Sequence, residues 1–215
     1  MRLNFSIVVV LLFGLCLTAT GASVTFKATG MGNAWPFDEA YGTGGYQQVY
    51  SGSKFGTTPV TLTGVTFGLA FPQYYEGGGW TLAIGLSSHN PGVPLNNNLN
   101  NLGPDFGQVY SGTSAPDNGQ ASFIFQTPYT FNPAGGDLLM NITMVANDCG
   151  GCAMTAGYST DISRIFKWSG AYADHIQAES GYGLNTTFQT ATPEPSTYGM
   201  MGLGLAALGL LRRRK

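Results

Sequence analysis

Apolar and polar residues alternating with a period of two set the strongest limit on what this chain folds into. Trp80, Leu82, Ile84 and Leu86 alternate with Thr81, Ala83 and Gly85, and Leu138, Met140, Ile142 and Met144 flank Asn141 and Thr143. Successive side chains of a strand point to opposite faces, so such stretches predict half-buried strands. Between 60 and 71 the apolar parity switches across Gly64, from Val60 and Leu62 to Val65, Phe67, Leu69 and Phe71. A β-bulge there absorbs the one-residue shift. Further strands are predicted at 24–28, 120–125, 162–168 and 183–189. The turn clusters between strands are Gly77-Gly78-Gly79, Ser87-Ser88-His89, Asn90-Pro91-Gly92, Asp117-Asn118-Gly119 and Asn132-Pro133-Ala134-Gly135-Gly136. Only 171–178 reads as a helix. With 13% aromatic and 9% charged residues, the chain has apolar surface for a core and little helix-forming composition. Many short strands between turns predict an all-β fold, an antiparallel β-sandwich of jelly-roll-like form.

Both ends depart from this pattern. Met1-Arg2 and a nearly continuous apolar run over 5–17 lead to Thr20-Gly21-Ala22, the layout of a signal peptide cut after Ala22. Cys16 lacks the small residues a lipid-attachment site needs before it, so it is expected to leave with that peptide. At the other end an uncharged run over 198–211 precedes Arg212, Arg213, Arg214 and Lys215. At about 1.5 Å per residue this run is shorter than a hydrocarbon core of about 30 Å. Cations at its end hold on the cytoplasmic side and snorkel to relieve the mismatch, so it is read as a transmembrane helix with a basic membrane stop. The predicted domains are 1–22, signal peptide; 23–191, β-sandwich; and 192–215, tail.

Pro193, Glu194 and Pro195 stand immediately before that run. Their order with the apolar stretch and the basic end resembles the PEP-CTERM sorting tail of Gram-negative bacteria. The resemblance implies an exosortase-type protease as partner and transient anchoring in the inner membrane with the domain in the periplasm. Cleavage near the motif and passage to the cell surface or an exopolysaccharide matrix would follow. Two prolines keep the motif extended, as a protease site requires, and Glu194 offers a charge for recognition. The stretch Gly45-Tyr46-Gln47-Gln48-Val49-Tyr50 also resembles an opening found in single-domain proteins with this tail.

Removing the ends leaves Lys27, Lys54, Arg164 and Lys167 against eleven acids, a formal charge of −7 over 23–194. Nucleic acid is excluded as a partner, because its binding needs clustered cations.

Chemical motifs are sparse. Cys149 and Cys152 flank two glycines and are the cysteines left after the signal peptide. In an oxidising envelope they predict a disulfide clasping a loop, not a redox pair, because no βαβ unit surrounds them. His89 and His175 are too few and too far apart for a zinc shell or a serine triad. Asp38, Glu39, Glu76, Asp105, Asp148, Asp161 and Glu179 are the carboxylates a glycosidase pair would draw on. No enzyme activity is expected and no cofactor is assigned. Asn147-Asp148, Asp105 beside Asn100-Asn101, and Asp117-Asn118 supply oxygen ligands for calcium without a recognisable spacing; Asx turns explain them equally well. Gly42-Thr43-Gly44-Gly45 reads as loop. Gln48-Val49-Tyr50-Ser51-Gly52 recurs as Gln108-Val109-Tyr110-Ser111-Gly112, reuse of a strand-turn sequence more than a duplicated half, because the flanks differ.

Two roles follow. The first is a non-catalytic structural or adhesive component of the envelope or matrix. The second is a carbohydrate-binding module, with Trp35, Tyr74, Tyr75, Trp80, Tyr158 and Trp168 as candidate stacking rings and exopolysaccharide as ligand.

Overall fold

The alternating stretches form strands that pair antiparallel throughout. The structure, a computed structural model, describes residues 22–30, 32–33, 36–37, 44–168, 175–191 and 202. Ser23–Thr190 forms one compact unit; the other, Met1–Ala22 with Ala191–Lys215, falls almost wholly outside the described residues. The stretch expected to be a signal peptide (but for Ala22), Pro193-Glu194-Pro195 and the C-terminal apolar run (but for Gly202) lie outside the described residues. Among the described residues no helix is long and apolar enough to cross a membrane.

The strands are β1 (Ser23–Phe26), β2 (Gly32–Asn33), β3 (Gly44–Tyr50), β4 (Val60–Gly68), β5 (Trp80–His89) and β6 (Gly107–Ser114), followed by β7 (Gln120–Phe131), β8 (Asp137–Asn147), β9 (Met154–Trp168), β10 (His175–Leu184) and β11 (Thr186–Thr190). One sheet runs β1-β11-β4-β7; the larger runs β10-β9-β3-β8-β5-β6, with β2 attached to β9. Eight strands pair as a nest, β1 with β11, β3 with β8, β4 with β7 and β5 with β6. The β9–β10 hairpin extends the larger sheet beyond β3.

The two sheets share one core. At one end Phe26 lies 4.8 Å from Tyr50, and Tyr50 meets Phe188 edge-on at 4.9 Å. At the other, Phe37 sits 5.0 Å from Trp80 and accepts the Trp80 Nε1–H at its carbonyl, at 2.8 Å. A buried indole needs such a partner, because leaving its N–H without one costs the lost hydrogen bond. Gln126 of β7 covers an otherwise bare edge: its side-chain amide donates to the Ser111 carbonyl at 2.9 Å and accepts from the Ser111 amide at 3.1 Å. The side chain thereby takes the place of a further strand beside β6.

The bulge expected at Gly64 is present, as a register shift against β11: Gln189 pairs with Gly64 and Thr190 with Leu62, so β4 carries one extra residue, Thr63. Asn118 and Gly119, both at positive φ (49° and 76°), close the tight turn into β7. Four readings are corrected. Ser87-Ser88-His89 is not a turn, because β5 continues through His89, paired with Asp137. Gly44 and Gly45 are not loop but open β3, paired with Trp168 and Lys167. The stretch 183–189 is interrupted at Asn185, whose Oδ1 accepts from Ala28 N at 2.5 Å. The helix expected over 171–178 fails over its described part: 175–178 belong to β10, with Ile176 opposite Lys167 and Ala178 opposite Ile165. Hydrogen bonding along an open strand edge outweighs a weak helix propensity. Residues 171–174 lie outside the described ones.

Trp80→Ala removes the largest fully buried side chain among the described residues. It is expected to cost about 3–5 kcal/mol in denaturant unfolding, whereas Tyr158→Ala, at a 72% exposed position, changes stability by less than about 1 kcal/mol.

Candidate functional site

Residues 90–106, between β5 and β6, do not extend the sheet as a hairpin. They lie as a strap across the outer face of the larger sheet. Gln47 anchors the strap: its Nε2 donates to the Leu99 carbonyl at 2.8 Å and its Oε1 accepts from Asn101 Nδ2 at 2.7 Å. The Ser87 hydroxyl accepts from Gly103 N at 3.2 Å. The sheet is bare of side chains where the strap comes closest: a Cβ at Gly85 would overlap the Phe106 ring, and one at Gly45 would crowd Leu99. The strap therefore buries Gln47 and Ser87 on a face that would otherwise be wet.

Asparagines hold the strap's own shape. Asn96 Nδ2 donates to the Asn100 carbonyl at 2.8 Å, and Asn101 Oδ1 accepts from Asn96 N at 2.7 Å. Asp105 ties its far end to both sheets. It accepts from the Ser88 amide at 2.9 Å, from the Ser88 hydroxyl at 2.7 Å and from the Tyr129 hydroxyl of β7 at 2.8 Å. Burial alone would raise the Asp105 carboxyl, but these donors outweigh it and hold the group below its ordinary value. Tyr129 is pushed far up, by burial first and then by its bond to Asp105 and that carboxylate's charge.

Two clefts open at the strap, both lined by His89 and Val93. One, of about 580 Å³, is bounded by strap residues including Asn90, Asn96, Asn100 and Asp105. The other, of about 450 Å³, lies between the strap and residues of β3, β9 and β10, among them Val49, Ser163 and Ser180. Arg164 and Glu179 also line it, and they end a buried polar row. Tyr46 donates to Gln48 Oε1, and Gln48 Nε2 donates to the Leu184 carbonyl at 3.0 Å. Arg164 lies between the Phe166 and Tyr182 rings, 4.6 and 4.5 Å from their centroids, and its Nε donates to Glu179 Oε2 at 2.6 Å. Burial pushes the Tyr46 hydroxyl up to about 12, opposed by the neighbouring Arg164 charge.

The residues singled out from sequence are largely dispersed. Trp80 is core, which removes it from any stacking platform. Tyr158 and Tyr74 are exposed; Tyr158 packs edge-on against Tyr182 at 4.9 Å and Tyr74 lies 6.2 Å from Phe71. Trp35 lies outside the described residues. The nominated carboxylates are occupied separately: Asp148 Oδ1 accepts from Gly79 N at 2.5 Å, Asp161 pairs with Lys54 at 2.9 Å, and Glu179 holds Arg164. Asp38 and Glu39 are outside the described residues. Asn147 and Asp117 serve turns, through Cys149 N at 3.2 Å and the backbone of Gln120. Among the described residues no three His, Cys, Asp or Glu gather as a metal-ligand set. Cys149 and Cys152 are joined in a disulfide, with Cα atoms 5.7 Å apart, and both are buried. Their loop leans on another: Glu76 N donates to the Gly150 carbonyl at 3.3 Å. Sequence reading missed the strap. Its signal was an asparagine-rich interval without periodicity between two strands, since long loops without secondary structure are uncommon unless they serve a function.

Residues 191–215 match the family model of the PEP-CTERM protein-sorting motif. A motif of this kind implies export, membrane-linked sorting toward the cell surface and processing by an exosortase. No curated protein matches the chain.

Asp105→Ala frees Ser88 and Tyr129 and is expected to cost about 1 kcal/mol, the exposure of the carboxylate limiting the loss. The folded value of Asp105 is depressed. Its contribution is therefore complete above the unfolded carboxylate value of about 3.9 and is lost as pH falls through the lower folded value. The variant's thermal midpoint should fall short of wild type at pH 6, and the gap should narrow as pH falls below the unfolded carboxylate value of about 3.9 and through the lower folded one.

Proposed function

We propose that this chain is an exported cell-envelope protein whose Ser23–Thr190 unit is a non-catalytic jelly-roll sandwich serving as a structural or adhesive element at the cell surface or in the extracellular matrix. The observation that carries the reading is the sorting motif at 191–215. On this reading the signal peptide of 1–22 delivers the chain across the inner membrane, and the apolar run of 198–211 holds it there as a transmembrane helix. Arg212, Arg213, Arg214 and Lys215 stay on the cytoplasmic side. The exosortase cuts near Pro193-Glu194-Pro195 and passes the domain outward.

The nested strand order supports a jelly roll, a fold that closes a core without a long exposed edge. The way the acids are used supports a non-catalytic role. A hydrolytic pair needs two carboxylates facing one substrate bond, whereas Asp105, Asp148, Asp161 and Glu179 each serve a separate structural contact. The disulfide suits an oxidising compartment and closes a loop of only two intervening residues, Gly150 and Gly151. Its entropic contribution is correspondingly small.

Intact-mass analysis of the protein from host membranes and medium tests the sorting. The expected mature species begins near Ser23, ends near Pro193 and gains two hydrogens on reduction. Replacing Pro193, Glu194 and Pro195 together with alanine should leave the uncut form in the membrane. A wild-type species retaining Lys215 in every fraction would make the tail a plain anchor and overturn cleavage.

A further inference from the structure

We infer that the strap clefts form a binding site for a neutral, polyhydroxylated ligand, an oligosaccharide chain running past His89 and Val93. Their volumes, about 580 and 450 Å³, fall within the range of about 300–1,000 Å³ typical of small-ligand sites. The shared lining residues make the two openings successive subsites, not separate pockets.

The chemistry of the lining selects the ligand. A sugar presents hydroxyls around its rim, each both donor and acceptor, and C–H groups on its faces. An asparagine amide offers the complementary pair on one plane, two N–H donors beside an acceptor oxygen. Among the described residues the side chains of Asn90 and Asn100 find no hydrogen-bond partner, although neighbouring Asn96 and Asn101 are engaged in the strap. In the second cleft the Thr160 and Ser180 hydroxyls are likewise uncommitted. With Asn96 and Asn101 holding the loop's shape, the side chains of Asn90 and Asn100 at the cleft are available to a ligand. Val93 and Leu102, 52% and 41% exposed, supply apolar contact for C–H faces.

Charge narrows the choice further. Arg164 borders the second cleft, but its guanidinium lies on the core side, between Phe166 and Tyr182 and bound to Glu179, while Asp105 and Asp137 add negative charge to the lining. An acidic polysaccharide would be repelled, and a neutral one meets no such cost. The lining residues include no Phe, Tyr or Trp to stack on a sugar face, so binding by a single chain is weak, with Kd on the order of 1 mM. Many copies displayed on one surface raise the avidity of such weak sites. This site differs from the aromatic platform considered from sequence, and it does not depend on how the tail is processed.

Saturation-transfer NMR on the full chain in detergent micelles tests the inference, with cellohexaose, maltohexaose, mannohexaose and chitohexaose as neutral probes and oligogalacturonate as the acidic one. At least one neutral probe should receive saturation, and oligogalacturonate should not. Asn90→Ala and Asn100→Ala should each weaken that binding about three- to tenfold with an unchanged melting temperature, because neither side chain holds the fold. Tyr74→Ala and Tyr158→Ala should leave it unchanged. Silence from all four neutral probes, preference for the acidic one, or loss of binding in the tyrosine variants but not the asparagine variants would each overturn the site.

Discussion

Everything else in this structure rests on the aromatic layer between the two sheets. Phe26, Tyr50, Phe55, Phe131 and Phe188 fill one end, and Phe37, Phe67, Trp80 and Phe123 the other, nearly all fully buried. Rings this large keep two twisted sheets in register only if their edges and faces interlock, and tilted and edge-on contacts prevail among them. Because the layer is apolar and closed, polar groups that reach it need partners inside it. Trp80 finds the Phe37 carbonyl, and the Tyr50 hydroxyl meets Thr186 at 3.0 Å.

With the inner face committed to aromatics, the outer faces are left to carry recognition, and they are not alike. The smaller sheet shows a ladder of hydroxyls, Thr25 to Thr187 at 3.1 Å and Thr66 to Ser122 at 3.0 Å, which satisfies itself. The larger sheet is covered by the strap, whose anchors are side chains reaching out of β3 and β5. Loops held this firmly on a rigid sheet place polar groups at fixed positions, the condition for selective recognition by weak contacts. Asp105 fixes the strap to both sheets at once, so the shape of the clefts depends on the packing of the sandwich beneath.

The β9–β10 hairpin shows how far context overrides local preference. Its strand β10 begins in a segment that reads as helix, yet strand pairing with β9 places Glu179 opposite Arg164. The partly buried Glu179 balances the buried Arg164 charge, which is otherwise costly to remove from water. Neither residue announces the other in sequence, because fifteen positions separate them.

The sequence by itself determined the all-β class, the core-facing residues of β5 and β8, the bulge near Gly64 and the sorting tail. Each is written within a short window: alternation fixes which face of a strand is apolar, and the tail is a linear motif. The tertiary structure alone decided the strand order, the burial of Gln47, Gln48 and Arg164, the course of the strap and the convergence of Asn90, Asn100 and Asp105 at one opening. Those features depend on backbone pairing and side-chain bonds between residues far apart along the chain, such as Gln48 with Leu184. No local pattern encodes such a pairing, since its free energy exists only once the intervening chain has folded around the shared core.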